Sequence, residues 1–206
     1  MLTLKTSEPE SGRRAEKRRE LALHTLTALA ELGFARINLR EVAARSGTQL
    51  GSIHYYFEDK TDLLLCAVRL YTEEFIGGLE QLIRNATSAQ ELIEQGCAAL
   101  ASAITEKAEM HRLWYDARAQ AMYDPAFRAV VSELETALTA LTGHFLERLR
   151  QFGFGGLPGD ALATYLQMDG WFRYCLQRHL GGDQGARDEL VRRMRELIEN
   201  APRGPA

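Results

Sequence analysis

The chain has 206 residues, 46% of them hydrophobic and 26% charged, with a formal net charge of −3. This balance is ordinary for a globular protein, and the length is enough to bury a large core without disulfides or metals. The three cysteines, Cys66, Cys97 and Cys175, form no CxxC pair and no Cys/His cluster with ligand spacing, so they read as small buried hydrophobes, with no metal and no cofactor expected.

In chain order, residues 1–11 read as a disordered arm, too polar and charged for a secretory signal. A first helix is expected over 13–32, with Leu21, Thr25, Leu26, Leu29 and Leu32 as its apolar stripe. Gly33 stops it and Phe34 packs back as a plug. The helix opens with the basic run Arg13-Arg14 and Lys17-Arg18-Arg19. Residues 1–60 hold ten Lys/Arg against eight Asp/Glu, and residues 61–206 hold fifteen against twenty. A basic end on an acidic body suits an N-terminal region that faces nucleic acid.

Asn38 is a good N-cap for a short second helix over 39–45, with Glu41 at its third position and Gly47 beyond its end. A third helix is expected over 49–57. Asp59 caps a fourth that runs to about Asn85, with Asp62 where a capping carboxylate belongs. Its aliphatic run, Leu63-Leu64-Leu65-Cys66-Ala67-Val68, is too short to span a bilayer, and a cytoplasmic protein without membrane contact is expected. Further helices are expected over 88–107, 109–122, 125–151, 159–180 and 184–199. They are separated by Thr87-Ser88, Asp124-Pro125, a glycine-rich break from Gln151 to Asp160, and Gly181-Gly182-Asp183. No stretch alternates as a strand would. The expectation is an all-α fold of about nine helices. It comprises an arm at 1–11, a helix-turn-helix domain at 12–60, an effector-binding and dimerisation domain at 61–200 and a loose tail at 201–206.

The stretch from Leu39 to Phe57 carries the functional signal. Val42, Ala43, Ile53 and Phe57 face one core, Ala43 and Ala44 are small enough for two helices to cross closely, and Gly47 suits a left-handed turn. The second helix of such a unit enters the major groove, about 12 Å wide. Here it presents Gln49, Ser52, His54, Tyr55 and Tyr56. Gln49 and Ser52 can bond base edges, Tyr55 can do so or contact a thymine methyl, and the tyrosine hydroxyls and histidine ring also suit phosphates. Lys60 sits in the first turn of the next helix, where its charge opposes the dipole unless a phosphate satisfies both.

Residues 13–68 resemble the DNA-binding domain of the TetR family of bacterial repressors. The resemblance rests on Gly33-Phe34, Leu39-Arg40-Glu41-Val42-Ala43, Gly51, His54-Tyr55-Tyr56-Phe57, Asp59-Lys60 and Leu63-Leu64. It implies phosphate contacts from Asn38, Arg40 and Lys60, and places Gln49, Leu50 and Gly51 at the start of the recognition helix with Tyr55 and Tyr56 on backbone or bases. Four positions depart from the family pattern: Ile37-Asn38 replaces a threonine pair, His54 replaces tyrosine and Leu50 replaces a polar residue. The stretch from Leu113-Trp114 to Asp124-Pro125 loosely resembles choline-responsive BetI-type repressors, without assigning choline.

The resemblance also implies a homodimer joined by the last two helices. Leu162, Tyr165, Leu166, Asp169, Gly170, Phe172, Leu176, Leu190, Met194 and Leu197 are the candidate interface residues. The effector pocket expected between DNA domain and dimer bundle draws on Tyr71, Phe75, Cys97, His111, Trp114, Tyr115, Arg118, Met122 and Trp171. These suit a small amphipathic or hydrophobic effector. The function expected is a dimeric repressor of a palindromic double-stranded DNA operator, released by that effector; an activator, or a regulator without effector, is the alternative. An enzyme is set aside because no GxSxG, HExxH, Walker A or Cys-His arrangement is present, and Gly153-Phe154-Gly155-Gly156 follows a helix rather than a strand.

Overall fold

The computed structural model describes residues 12–154 and 160–199. The expected arm at 1–11, the tail at 201–206 and residues 155–159 of the glycine-rich break lie outside them. The described elements are nine α-helices: α1 (Gly12–Arg36), α2 (Leu39–Arg45), α3 (Leu50–Tyr56), α4 (Lys60–Asn85), α5 (Ala89–Thr105), α6 (Ala108–Ala121), α7 (Pro125–Gln151), α8 (Ala161–Leu180) and α9 (Ala186–Glu199). None is long and apolar enough to cross a membrane.

Most helix starts are set by a side chain that satisfies an otherwise unpaired backbone N–H. Asn38 Oδ1 accepts from Glu41 N at 3.0 Å, Asp59 Oδ1 from Asp62 N at 2.8 Å, and Asp160 Oδ1 from Ala163 N at 2.8 Å. Ser88 Oγ accepts from Glu91 N at 3.1 Å, and Glu91 in return accepts from Thr87 N at 2.8 Å, closing a capping box. The Thr87 bonds hold the Glu91 carboxyl below its usual range. Asp124 caps α7 with Pro125 in its first turn. At the other end of α1, Gly33 takes φ 73 and ψ 167, a region almost closed to other residues. The helix therefore breaks where expected, and the three residues after Gly33 form a separate short turn rather than a loop. Gly47 takes φ 62 in the turn between α2 and α3.

The chain divides into two compact units at Tyr71/Thr72, inside α4 and further along than the expected boundary at residue 60. The cause is visible in the burial of Leu63, Leu64, Ala67 and Val68: the first turns of α4 are part of the N-terminal core. That core also buries Leu21, Ala22, Thr25, Leu26, Leu29, Ile37, Val42, Ala43, Ile53 and Phe57. Buried Thr25 is satisfied within its own helix, its hydroxyl donating to Leu21 O at 2.8 Å. Leu32, expected in the stripe, is only half-buried, and Ala44 is exposed, so Ala43 alone lines the helix crossing.

The second unit is a helical bundle in which α9 packs on α5 and α8, and α7 on α6 and α8. Its core includes Leu92, Ile104, Leu141, Leu146, Leu149, Phe172, Cys175, Leu176, Leu190, Met194 and Ile198.

Candidate functional site

In the first unit, α3 is two turns long. Ile53 is fully buried and Phe57 nearly so, which fixes its inner side. Gln49, Gly51, Ser52, His54 and Tyr55 are exposed, and Leu50 and Tyr56 half-buried. Tyr55 has 68% of its surface in solvent, high for an aromatic side chain. Its ring meets that of Tyr56 edge-on at 5.0 Å, and the Arg14 guanidinium lies 5.7 Å from its centroid. The helix starts at Leu50, not Gln49, so Gln49 is the N-cap residue; its side chain makes no capping bond.

The basic and polar groups around α3 divide into two kinds. Arg40 is exposed on α2, and Asn38 is exposed while its Oδ1 serves as a cap. Lys60 is half-buried, and its Nζ donates to Phe34 O at 3.2 Å. The dipole conflict expected there is thus met in part by a carbonyl of the chain itself. Arg18, read in sequence only as one charge of a basic run, is bonded internally to Asp62 at 2.9 Å. Arg45 likewise turns to Glu41 at 2.8 Å and Glu31 at 2.5 Å, tying α2 to α1.

In the second unit the structure separates the expected effector residues. A cavity of about 70 Å³ is walled by Leu79, Leu82 and Ile83 of α4, Ile93, Gly96, Cys97 and Leu100 of α5, Leu141, Thr142 and Phe145 of α7, Met168 of α8, and Met194 and Ile198 of α9. Only Cys97 belongs to both this wall and the expected set. Burial pushes its thiol up, so it stands there as a neutral group. The Thr142 hydroxyl is occupied by Leu138 O at 3.0 Å. No charged side chain lines the cavity.

The expected aromatics lie elsewhere. Phe75, His111 and Phe172 form a ring cluster, His111 standing edge-on to both at 4.6 and 5.0 Å. Burial and the Lys107 charge hold the His111 imidazole down to about 4. Tyr115 donates to Asp169 Oδ1 at 2.9 Å, and Arg118 pairs with Asp169 at 2.7 Å and Glu135 at 3.0 Å. Burial, then the Asp169 charge, raises the Tyr115 hydroxyl beyond ordinary titration. Trp114 is buried beside Arg118. Met122, 74% exposed at the α6–α7 turn, lines no part of the cavity. Trp171 lies in a surface groove with Leu166, Gly170, Tyr174 and Arg193, the guanidinium 4.3 Å from its ring. Tyr71 is half-buried at the end of the first unit, its hydroxyl raised by burial. The aliphatic cavity wall was missed because leucines and isoleucines at helical spacing look the same whether they line space or fill it.

The residues expected at an interface between copies fall into two groups by burial within the single chain. Tyr165, Phe172, Leu176, Leu190 and Met194 are buried within their own unit. Asp169 is held inward by Tyr115 and Arg118. Leu197 is half-buried. Leu162 and Leu166 remain outward, 51% and 52% exposed, in line along α8 with half-buried Gly170 and exposed Tyr174. A Cβ at Gly170 would meet nothing within 4 Å, so no neighbour in its own chain requires glycine there.

Among the described residues no group of three or more His, Cys, Asp or Glu side chains is placed to hold a metal ion. Residues 25–67 match the sequence profile of bacterial regulatory proteins of the TetR family. A regulator named BetI from Cronobacter sakazakii is 26% identical over 121 residues, 57% of this chain and 59% of that protein. BetI of Escherichia coli is 35% identical over 66 residues, 32% of this chain and 34% of its own length. The chain thus matches less than two thirds of the length of these relatives. Among solved structures, a TetR regulator from Haloarcula marismortui superposes with a TM-score of 0.77 at 18% identity, over 91% of this chain and 98% of that one. A protein from Saccharomonospora viridis in complex with choline gives 0.75 at 17%, over 90% and 96%. FadR from Bacillus subtilis in complex with stearoyl-CoA gives 0.69 at 17%, over 87% and 96%. These likenesses carry the fold. The profile match spans residues 25–67, from within α1 through α2 and α3 into the first turns of α4, so the likeness to TetR-family regulators in sequence is carried by this region.

Proposed function

We propose that the protein is a homodimeric, sequence-specific DNA-binding repressor whose hold on a palindromic operator is relaxed by a small, largely apolar effector. The reading rests chiefly on α3, whose inner side is anchored by buried Ile53 and Phe57 while Gln49, Ser52, His54 and Tyr55 stand in solvent. Side chains that offer hydrogen bonds and an aromatic edge from so short a rod match the floor of a major groove. In this reading Asn38, Arg40, Tyr56 and Lys60 meet the backbone, Leu50 and Gly51 let the helix start approach closely, and Gln49 and Ser52 read bases.

Two copies are needed because one two-turn helix specifies few base pairs. The outward line of Leu162, Leu166, Gly170 and Tyr174 on α8 supports self-association, since an apolar stripe this regular is costly to leave in water. The cavity supports an effector with an uncharged hydrocarbon portion. The S. viridis neighbour is bound to choline and the B. subtilis neighbour to stearoyl-CoA. A mostly aliphatic wall with Phe145 as its one aromatic ring and no carboxylate suits an alkyl or aryl group better than a quaternary ammonium, which is held best by several aromatic faces or a carboxylate. The effector acts only by binding the DNA-incompetent form of the dimer more tightly.

Selection of bound sequences from random duplex DNA tests the reading. The expected result is enrichment of a two-fold symmetric site. Recovery of no sequence preference at moderate salt would overturn it. Neutral alkanols and choline, added to the selected complex, separate the effector classes: release by the former alone is expected.

A further inference from the structure

Arg18 lies in the basic run of α1, yet it does not face outward as a phosphate ligand would. Its Nη1 donates to the carbonyl oxygen of Tyr56 and, at 3.3 Å, to Asp62 Oδ2. Its Nη2 donates to Asp62 Oδ1 at 2.9 Å. The guanidinium carbon lies 4.4 Å from the centroid of the Phe57 ring. The side chains of Arg18 and Asp62 are only 20% and 31% exposed. One fork thus grips the last residue of α3, the aromatic anchor behind it and the first turn of α4. Asp62 is held in place in turn, its Oδ2 accepting from Glu58 N at 3.1 Å.

The position of this grip matters because α3 is short and weakly terminated. Gln49 provides no side-chain cap at its start. Its last carbonyls have no partner within the helix, as at any helix end. A two-turn helix is not stable alone, so its direction depends on what holds its ends. Ile53 and Phe57 fix its depth. Arg18 is the group that bonds its final carbonyl to two other helices.

We infer that Arg18 is a positioning residue for DNA recognition: through Tyr56 and Asp62 it sets the angle at which the exposed side of α3 meets the duplex. This rests on the DNA-binding reading given above. It assigns Arg18 a role opposite to that suggested by its place in a basic run, and it makes an acidic residue, Asp62, necessary for binding a polyanion. The bidentate fork is also something lysine cannot reproduce.

Three variants of the full chain, Arg18→Ala, Arg18→Lys and Asp62→Asn, test this on a selected duplex. Asp62→Asn is the mildest, because the amide oxygen still accepts from Glu58 N. Each is checked for helix content and melting temperature. Its Kd is then measured well below the melt, with the active fraction taken from stoichiometric titration. A role in stability alone lowers that fraction and leaves the Kd of the active protein unchanged. The positioning role raises this Kd on the order of tenfold in all three variants. The loss from Arg18→Ala combined with Asp62→Asn is then no greater than from either alone. The dependence of log K on log salt keeps the wild-type slope. A phosphate contact predicts the reverse pattern: Arg18→Lys close to wild type, Arg18→Ala with a slope smaller by about one unit, and Asp62→Asn unchanged or tighter. That pattern, or an unchanged Kd in Asp62→Asn, overturns the inference. Wild-type protein that binds no duplex overturns the DNA-binding reading itself.

Discussion

At the scale of single residues, the groups around α3 differ in what they are free to do. Lys60 commits one proton to Phe34 O and keeps two for an incoming anion. Lys60→Ala is expected to weaken all duplexes alike and to lower the salt slope by about one unit, whereas Gln49→Ala changes base preference at one position in each half-site. Titrations of both variants at several salt concentrations, on matched and mismatched duplexes, separate the two roles. His111 offers a test away from DNA. Its folded value of about 4 lies below the ordinary 6.5, so it is neutral in the fold and the unfolded chain takes up its proton first. The stability this contributes is complete above about pH 6.5 and is lost as the pH falls toward 4. The melting temperature of the wild type is expected to fall relative to that of His111→Leu as the pH drops across this window. Parallel curves would mean that His111 does not titrate as described. The identity of these residues was plain in the sequence, but their occupation was not. Arg18 and Arg13 look alike in a basic run, and only the path of the chain brings Asp62 and Tyr56 to the former.

At the scale of elements, punctuation was the most legible feature. Asn38, Asp59, Ser88 and Asp124 each stand at a helix start because a short polar side chain there replaces a missing backbone partner, and Asp160, read as lying inside a helix from residue 159, caps α8 in the same way. Gly33 stands where the chain needs a conformation closed to L side chains. A Cβ at Gly33 would meet nothing within 4 Å, so the cost of Gly33→Ala is backbone strain alone, about 1–3 kcal/mol in chemical denaturation. No loss of stability would contradict the backbone geometry at that residue. Which way a helix turns its apolar side was less legible. In α8, Tyr165, Phe172 and Leu176 point into the bundle while Leu162 and Leu166 point out. Both sets repeat at helical spacing, and periodicity alone cannot allot one to the core and the other to a partner. The cavity wall was hidden for a related reason, since volume left empty has no residue to announce it.

At the scale of the whole molecule, the reading joins two copies, an apolar cavity and a pair of short recognition helices. Leu166→Glu places a charge on the outward side of α8, where it disturbs nothing in its own unit's core. Sedimentation is expected to show a shift from dimer to monomer with helix content retained, and affinity for a two-fold site falls by at least a hundredfold as cooperation between half-sites is lost. An unchanged dimer would move the interface elsewhere. The claim on which the rest depends is that the exposed side of α3 lies in a major groove. Dimethyl sulfate footprinting on the selected duplex tests it directly, because the reagent attacks guanine N7 on the major-groove edge. The account predicts N7 shielding in two patches, about one helical turn apart or a multiple of it, with intervening guanines still reactive. Guanines that stay fully reactive across the site while the protein is bound would contradict it.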